Sequence, residues 1–377
     1  MKKRGDLPKN QIVFVGLSGG VDSAVSAAVL KRQGFEVVGV FIKTWHPDFL
    51  ECNEEDERRD AMRVAAFLDI PFLTFNFEDV YKKEVADYMI REYKAGRTPN
   101  PDVMCNKEVK FGAFLKRALS MGADFVATGH YARVSEERIN FSREYPASHR
   151  HHSKSLFFLR QGKDSLKDQS YFLWTLNQEQ LSKIIFPVGN LKKTEVRKMA
   201  KKFKLPVAEK KDSQGICFLG EIDLKEFLKH YIKEKRGKVV NEEGDEIGFH
   251  EGAVFHTLGE RRGFTITKKS PQDKPHYIAG KDIKKNVLIV SQNKETNHSG
   301  ILKNIRIENT NWVSEIADPA KKYTAQVRYH GEQFPCSVKI ISKTEAEVVF
   351  NAPVVVASGQ SVVVYDENVC LGGGVVA

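Results

Sequence analysis

"IVFVGLSGGVDS", residues 12 to 23, sets four apolar residues directly before a glycine-rich turn, and the next residues continue with Val21, Val25 and Val29 at helical spacing. Apolar run, turn and helix in that order predict a buried strand that delivers the chain into a helix N-terminus, where unpaired N–H groups and the helix dipole collect anions. Gly19 and Gly20 allow the backbone to approach a phosphate closely, and Ser18 and Ser23 add hydroxyl donors. The loop is not a Walker A motif, because no Gly-Lys-Ser/Thr follows. Nor is it the dinucleotide fingerprint, because its glycines fall at Gly16, Gly19 and Gly20. Asp22 would repel a bare phosphate, so it makes sense mainly as a ligand to a Mg²⁺ ion that bridges phosphate oxygens. The plainer reading is an ordinary acidic residue in a helix's first turn.

Outward from this loop the first half of the chain alternates short apolar runs with helix-period segments. "EVVGVFI" (36 to 42), "PFLTFNF" (71 to 77) and "DFVAT" (124 to 128) read as strands. Asp56 to Leu68, a stretch ending near Tyr93, and Val109 to Met121 read as helices. This alternation predicts an α/β fold whose parallel sheet is covered on both faces, with ligands at the carboxyl ends of the strands, in the loops "GLSGGVDS", "KTW" and "GHYAR". Residues 135 to 155 are polar and unpatterned and read as an exposed insertion. His149, His151 and His152 within it lack an accompanying carboxylate or cysteine, so no metal site is expected there. "DLKEFLKHYI" (223 to 232) reads as a short helix with Asp223 as N-cap. From about residue 236 Gly-punctuated strands take over ("GKVV", "AVFHT", "NVLIVS"), and the alternation Tyr323, Ala325, Val327, Tyr329 with the run "SVVVY" (361 to 365) predicts a closed or sandwiched β module. The expected division is 1–218, a parallel-sheet, Rossmann-like domain; 219–295, a small mixed central domain; and 296–377, an all-β, barrel-like domain.

The 377 residues carry 59 Lys and Arg against 49 Asp and Glu, a formal charge of +10, which suits a polyanionic partner such as nucleic acid and equally a solvated Lys-rich surface. Five scattered cysteines, Cys52, Cys105, Cys217, Cys336 and Cys370, include no C-x-x-C pair, so neither zinc nor a secreted disulfide framework is expected. The basic N-terminus runs into Gly, Asp and Pro rather than an apolar stretch, and residues 12 to 30 hold Asp22 and several serines and glycines. We therefore expect a cytoplasmic protein with no membrane association.

"SGGVDS" after a buried strand resembles the PP-loop of ATP pyrophosphatases. Together with "TPNPDVMCNKEVKFGAF" (98 to 114), "ATGHYAR" (127 to 133), "KDQSYFL" (167 to 173), "DSQGICFLG" (212 to 220), "GERRGF" (259 to 264) and "CLGGGVV" (370 to 376), it resembles the tRNA-specific 2-thiouridylase family essentially end to end. The sequence departs from that pattern at Gln214, at His276 and in the 135–155 insertion. The resemblance implies ATP with Mg²⁺, tRNA with a wobble uridine (Lys, Glu and Gln acceptors) as substrate, and a cysteine desulfurase or sulfur-relay protein as donor. Replacing a carbonyl oxygen by sulfur requires that oxygen to become a leaving group, which AMP transfer accomplishes, and then a sulfur nucleophile.

Taken alone, Cys217 beside Phe218 and Leu219 reads as core, as does any isolated cysteine. The resemblance implies that Cys217 carries a persulfide and that Cys105 attacks it, leaving a Cys105–Cys217 disulfide, which requires Cα atoms within about 4.4 to 6.8 Å. It further implies Asn100, Pro101 and Asp102 along the target base, Asp102 being suited to general acid or base work. The Gly16, Leu17, Ser18, Gly19, Gly20, Val21, Asp22, Ser23 loop with Ile42 and Gly129 would hold the nucleotide. His130 would lie by an extruded base, and Lys167, Asp168, Gln169, Arg328, Tyr329 and Gln360 would contact tRNA. Cys52, Cys336 and Cys370 match no catalytic motif. Two rival readings are a PP-loop synthetase that adenylates a small molecule, which would need no cysteine pair, and a tRNA binder without catalysis.

Overall fold

Val13 and Val15 are wholly buried while Phe14, between them, is buried on the opposite side, the period-two signature of a strand covered on both faces. The computed structural model describes residues 10–50, 53–140, 153–212, 224–268, 272–293 and 301–377. Its first strands are Ile12–Gly16 (β1), Glu36–Lys43 (β2), Phe72–Asn76 (β3), Phe125–Ala127 (β4), Ala132–Asn140 (β5), Ser153–Gln161 (β6) and Ile184–Ile185 (β7). Five of them form a parallel sheet in the order β3-β2-β1-β4-β7. The helices Val21–Arg32, Glu54–Phe67 and Lys193–Lys202 cover the face bearing Val13 and Val15. Phe111, Phe114 and Leu115 cover the face bearing Phe14, Val40 and Val126. This is the expected α/β architecture.

The helix expected to begin at Val109 begins eight residues earlier. The Asn100 side chain accepts the Val103 N–H at 3.2 Å, Pro101 occupies the first turn, and Pro101–Met104 leads into a π-helical stretch, Cys105–Phe114, before Leu115–Ser120 completes the rod. Proline is preorganised for the first helical position, where its missing N–H costs nothing. Pro101 therefore starts this helix as well as stiffening the approach to it.

The reading of 135–155 as an unpatterned insertion is corrected at its two ends, 135–140 and 153–155, the residues between lying outside the described ones. β5 and β6 pair antiparallel from Ala132↔Gln161 to Asn140↔Ser153, and β6 also pairs with the last strand of the chain. Alternation was hidden because both strands are only half buried along most of their length. His149, His151 and His152 lie outside the described residues, as do Cys52 and Asp223.

The middle of the chain forms a second sheet from Gly237–Val240 (β8), Glu246–His250 (β9), Phe264–Ile266 (β10), Tyr277–Asp282 (β11) and Val287–Ser291 (β12), in the order β10-β9-β8-β12-β11. "AVFHT", expected as a strand, is instead a 3₁₀ turn at Ala253–Phe255 entered through Gly252 at φ 155°. The C-terminal module runs Ile301–Trp312 (β13), Tyr323–Gln326 (β14), Gln333–Ile340 (β15), Glu345–Val355 (β16), Ser361–Asp366 (β17) and Val369–Val376 (β18). The order β13-β16-β15-β14-β17-β18, with β13 also paired to β18, closes these strands into a barrel. The β5–β6 hairpin is added outside it, on β18, through Cys370↔Leu159 and Val369↔Arg160.

Strand β17 explains why "SVVVY" reads as a continuous apolar run. Val362 and Val364 point into the barrel core, whereas Val363 and Tyr365 lie in the same cluster as Phe14, Phe111 and Tyr171. Hydrogen bonds reinforce this junction: Tyr171 Oη to Ser361 O (2.9 Å), Trp174 Nε1 to Ser361 Oγ (3.2 Å), and Asn311 Nδ2 to the carbonyls of Trp174 (2.8 Å) and Leu176 (3.0 Å). No helix among the described residues is long and apolar enough to cross a membrane.

Asn311→Ala removes the donor to both carbonyls at this junction. Its urea midpoint is expected to fall by the equivalent of about 1–3 kcal/mol, the usual cost of leaving part-buried polar groups unpaired.

Candidate functional site

The Gly-rich loop leaves the carboxyl end of β1 at the centre of the parallel sheet, and Gly20 caps the Val21–Arg32 helix with extended backbone. Gly19 sits at φ +72°, and a side chain there would collide with the Glu57 carbonyl of the neighbouring helix. Only glycine meets both demands. Within the loop the Ser18 N–H donates to Ser23 Oγ at 3.2 Å, and Ser23 Oγ donates to the Gly20 carbonyl at 3.1 Å. Gly129, after β4, lies against the helix start, where a Cβ would sit 2.8 Å from Ser23 N. Ile42, half-buried near the end of β2, completes the same rim. The ends of β2, β1 and β4, from which the three expected loops leave, lie side by side in the sheet.

Asp22 is the electrostatic centre of this rim. Its carboxylate accepts Tyr131 Oη–H at 2.7 Å, and both oxygens accept from Lys193 Nζ at 2.8 Å. Lys193 also reaches Asp212 Oδ1 at 2.8 Å, and Asp212 is bonded in turn by Arg197 and, at 3.3 Å, by Lys167. Burial would raise the Asp212 carboxyl, but the hydrogen bonds and charges of these cations outweigh it and hold it at about 2. Burial and the adjoining Asp22 charge keep the Tyr131 phenol protonated. A sequence signal for Lys193 did exist: it opens its helix, where a cation opposes the dipole and needs a dedicated acidic partner.

The loop glycines and hydroxyls fit a polyphosphate. Among the described residues no group of three or more His, Cys, Asp or Glu side chains could hold a metal ion. A cation here would be held by Asp22 together with phosphate oxygens, in exchange for the Lys193 contact.

The second part of the site lies under the Pro101–Met104 turn. Asp102 is half-buried, and burial raises its carboxyl while the Lys110 charge opposes the rise. Cys105 is 5 % exposed, in an apolar cluster with Met89, Ile90, Tyr93, Val109 and Phe227. His130 is buried between Phe111 and Phe186, with Nδ1 2.7 Å from Thr128 Oγ1. Its burial, then the Lys110 charge, push its pKa well below the usual value, so the imidazole is neutral at neutral pH.

The expected RNA contacts divide in two. Tyr329 packs on Phe172 (centroids 4.3 Å apart) with His330 stacked on it at 3.9 Å, and Gln360 Nε2 donates to the Thr98 carbonyl at 2.9 Å, so the barrel adjoins the segment leading to Asn100. Arg328 beside them is exposed. Asp168 and Gln169 face inward. Asp168 is buried and accepts from the Gly162 N–H (2.8 Å) and Ser170 Oγ (2.8 Å), and Gln169 Oε1 accepts the Tyr131 N–H (3.0 Å). Of this tripeptide Lys167 has the outward position. Cys336 and Cys370 are buried, and burial pushes both thiols up, Cys336 to about 12. Cys217 lies outside the described residues.

Three family models cover the chain: a tRNA methyl transferase HUP domain over residues 11–221, a tRNA methyl transferase PRC-barrel domain over 225–292 and an aminomethyltransferase β-barrel domain over 302–376. The tRNA-specific 2-thiouridylase of Nitrosomonas europaea is 43 % identical over 97 % of each chain. The chain belongs to the tRNA-specific 2-thiouridylase family. Relatives of the same name from Bacillus velezensis (43 % identity, 100 % of this chain and 96 % of that one) and Shigella dysenteriae (44 %, 97 % and 96 %) match equally along their length. Family membership thus extends over all three sheets of the fold and is not confined to the Gly-rich loop.

His130 is held neutral in the fold, so the unfolded chain takes up a proton first as pH falls below about 6.5. Its share of stability is present above that pH and lost below it. His130→Gln is expected to flatten the fall in urea midpoint between about pH 6.5 and 5 relative to the parent chain.

Proposed function

We propose that this chain is an ATP-dependent tRNA sulfurtransferase that replaces the 2-oxygen of a wobble uridine by sulfur. One observation carries the reading. The described residues flanking Cys217 tie to both halves of the site: Asp212 is bonded through Lys193 to the Asp22 of the Gly-rich loop, and Phe227 packs with Cys105. Cys217 falls between those two points in the sequence, which supports its pairing with Cys105 beside a nucleotide loop. Family membership and the net positive charge support the same reading.

When bound, ATP supplies AMP to the uracil 2-oxygen and so makes it a leaving group. The Gly16–Ser23 loop holds the phosphates with backbone N–H groups and the Ser18 and Ser23 hydroxyls, while Ile42 and Gly129 border the adenine side. Asp22 would hold a Mg²⁺ that neutralises phosphate charge in this state. Asn100, Pro101 and Asp102 line the target base, and an Asp102 carboxyl raised by burial holds and returns a proton more readily near neutral pH. Neutral His130, between two aromatic rings, offers the extruded base a flat, hydrogen-bonding wall. Cys217 carries the persulfide taken from a desulfurase or relay protein. The Cys105 thiolate attacks its inner sulfur, forms the Cys105–Cys217 disulfide and releases hydrosulfide to the activated carbon, from which AMP departs. Lys167, Arg328, Tyr329 and Gln360 border the path of the RNA, with Asp168 and Gln169 holding that border in place.

The family-model description as a methyl transferase names a different reaction. Methyl transfer has no use for a nucleotide loop joined to a cysteine pair. Nucleoside mass spectrometry separates the two, since one product gains sulfur for oxygen and the other a methyl group.

Cys217→Ser is expected to abolish 2-thiouridine in tRNA incubated with ATP and a persulfide source, while ATP affinity by calorimetry stays within about two-fold, because the change removes only the sulfur carrier. Thiolation persisting in that variant would sink the cysteine assignment.

A further inference from the structure

The loop between β14 and β15 carries the outer end of a column of rings. Tyr171, buried and bonded to the Ser361 carbonyl, meets Phe172 edge to face at 5.5 Å. Tyr329 packs on Phe172 with centroids 4.3 Å apart, and His330 lies over Tyr329 at 3.9 Å with 26° between the planes. The column thus starts in the junction between sheet and barrel and ends at His330, which is exposed. Burial, then the Asp168 and Asp102 charges, push the Tyr329 phenol up to about 12, which sets the middle of the column near the Asp102 turn.

His330 holds its place with a φ of +57°, a left-handed conformation uncommon for any residue with a side chain. Two hydrogen bonds fix the turn: the Gly331 N–H donates to the Arg328 carbonyl at 3.0 Å, and Gln326 Nε2 donates to the Gly331 carbonyl at 2.9 Å. Residues kept in such conformations by their surroundings cluster at ligand-binding sites. The ring separation of 3.9 Å is close to the roughly 3.4 Å rise of a nucleic-acid strand, so a base laid on His330 continues the column. Exposed Arg328, two positions earlier, supplies a cation for the adjoining phosphate. Extruding one base from an RNA loop takes a stacking partner from its neighbour, and an aromatic face beside the pocket replaces that partner.

We propose that the outer face of His330 is a stacking shelf for a second unpaired base of the tRNA, the immediate neighbour of the uridine that enters the pocket. The proposal rests on the tRNA-dependent reading above and adds a binding subsite to it.

The test uses the full chain and tRNA carrying the fluorescent base 2-aminopurine on the 5′ or the 3′ side of the wobble uridine, since stacking on a ring quenches this probe. The parent chain is expected to quench one of the two. His330→Asn keeps a residue suited to left-handed backbone and removes the ring. It should leave that probe bright and raise KM for tRNA about ten-fold with kcat unchanged. His330→Phe, which keeps a ring, should quench as the parent does. Both substitutions are at an exposed position and leave the barrel core untouched. The shelf is overturned by a parent that quenches neither probe, by quenching retained in His330→Asn, or by quenching lost in His330→Phe as fully as in His330→Asn. A His330→Asn defect confined to kcat overturns it as well. A parent chain that quenches through His330 yet transfers no sulfur to tRNA overturns the functional reading and leaves the shelf standing, so the two failures are distinguishable.

Discussion

Asp22 gathers three separate stretches of chain onto one carboxylate. Tyr131 reaches it from the loop after β4 and Lys193 from the start of a helix 171 positions away, and the Gly-rich loop carries it. An anion in the first turn of a helix is favoured by the dipole, and a cation in the first turn of another is disfavoured. Placing the two against each other cancels most of that imbalance and leaves the pair partly shielded from water. Removal of either partner would leave an uncompensated charge in a confined place, which is more costly than the intact pair is stabilising. The relative position of strand ends, helix and loop follows from this one contact.

Around it, the groups suited to chemistry owe their character to enclosure. Asp102 is raised and His130 lowered by the same loss of water, so acid and base each shift toward the form that carries no charge. Lys110 acts on both with its charge: it restrains the rise in Asp102 and deepens the fall in His130. The π-helical turns from Cys105 to Phe114 belong to the same design, since wide turns of this kind recur where a helix presents functional side chains.

The parallel sheet and its loop were legible in the sequence because their signals are local: an apolar run, a glycine turn and a helical repeat within twenty residues. The closed barrel was legible as a strand-rich module, from alternation such as Tyr323, Ala325 and Val327, all of which are buried. What escaped notice depends on partners distant in sequence. Tyr131 acquires meaning only when folding places it against Asp22, and the helix start that marks Lys193 does not reveal which carboxylate it meets. Asp168 and Gln169 stand in a motif that suggests exposure, yet both are tied inward, and nothing in their identity distinguishes an inward carboxylate from an outward one. The β5–β6 hairpin escaped for another reason: a strand pair covered on one side by polar, half-exposed residues loses the alternation by which strands are recognised. "AVFHT" made the opposite error, since β-branched and aromatic residues suit a strand but the left-handed-side φ of Gly252 turns the chain instead.

Strand β17 faces two cores at once, and β18 is bonded both to the barrel wall and to a hairpin that leaves the parallel-sheet part of the chain. Hinge motion between barrel and sheet would have to open packed hydrocarbon and break a strand ladder together. The spacing between the nucleotide loop and the Arg328–Tyr329 turn is therefore set like the jaws of a fixed gauge. A polymer long enough to touch both ends would itself have to bend or splay to match that spacing, and the cost of that deformation would fall on the polymer and not on the protein.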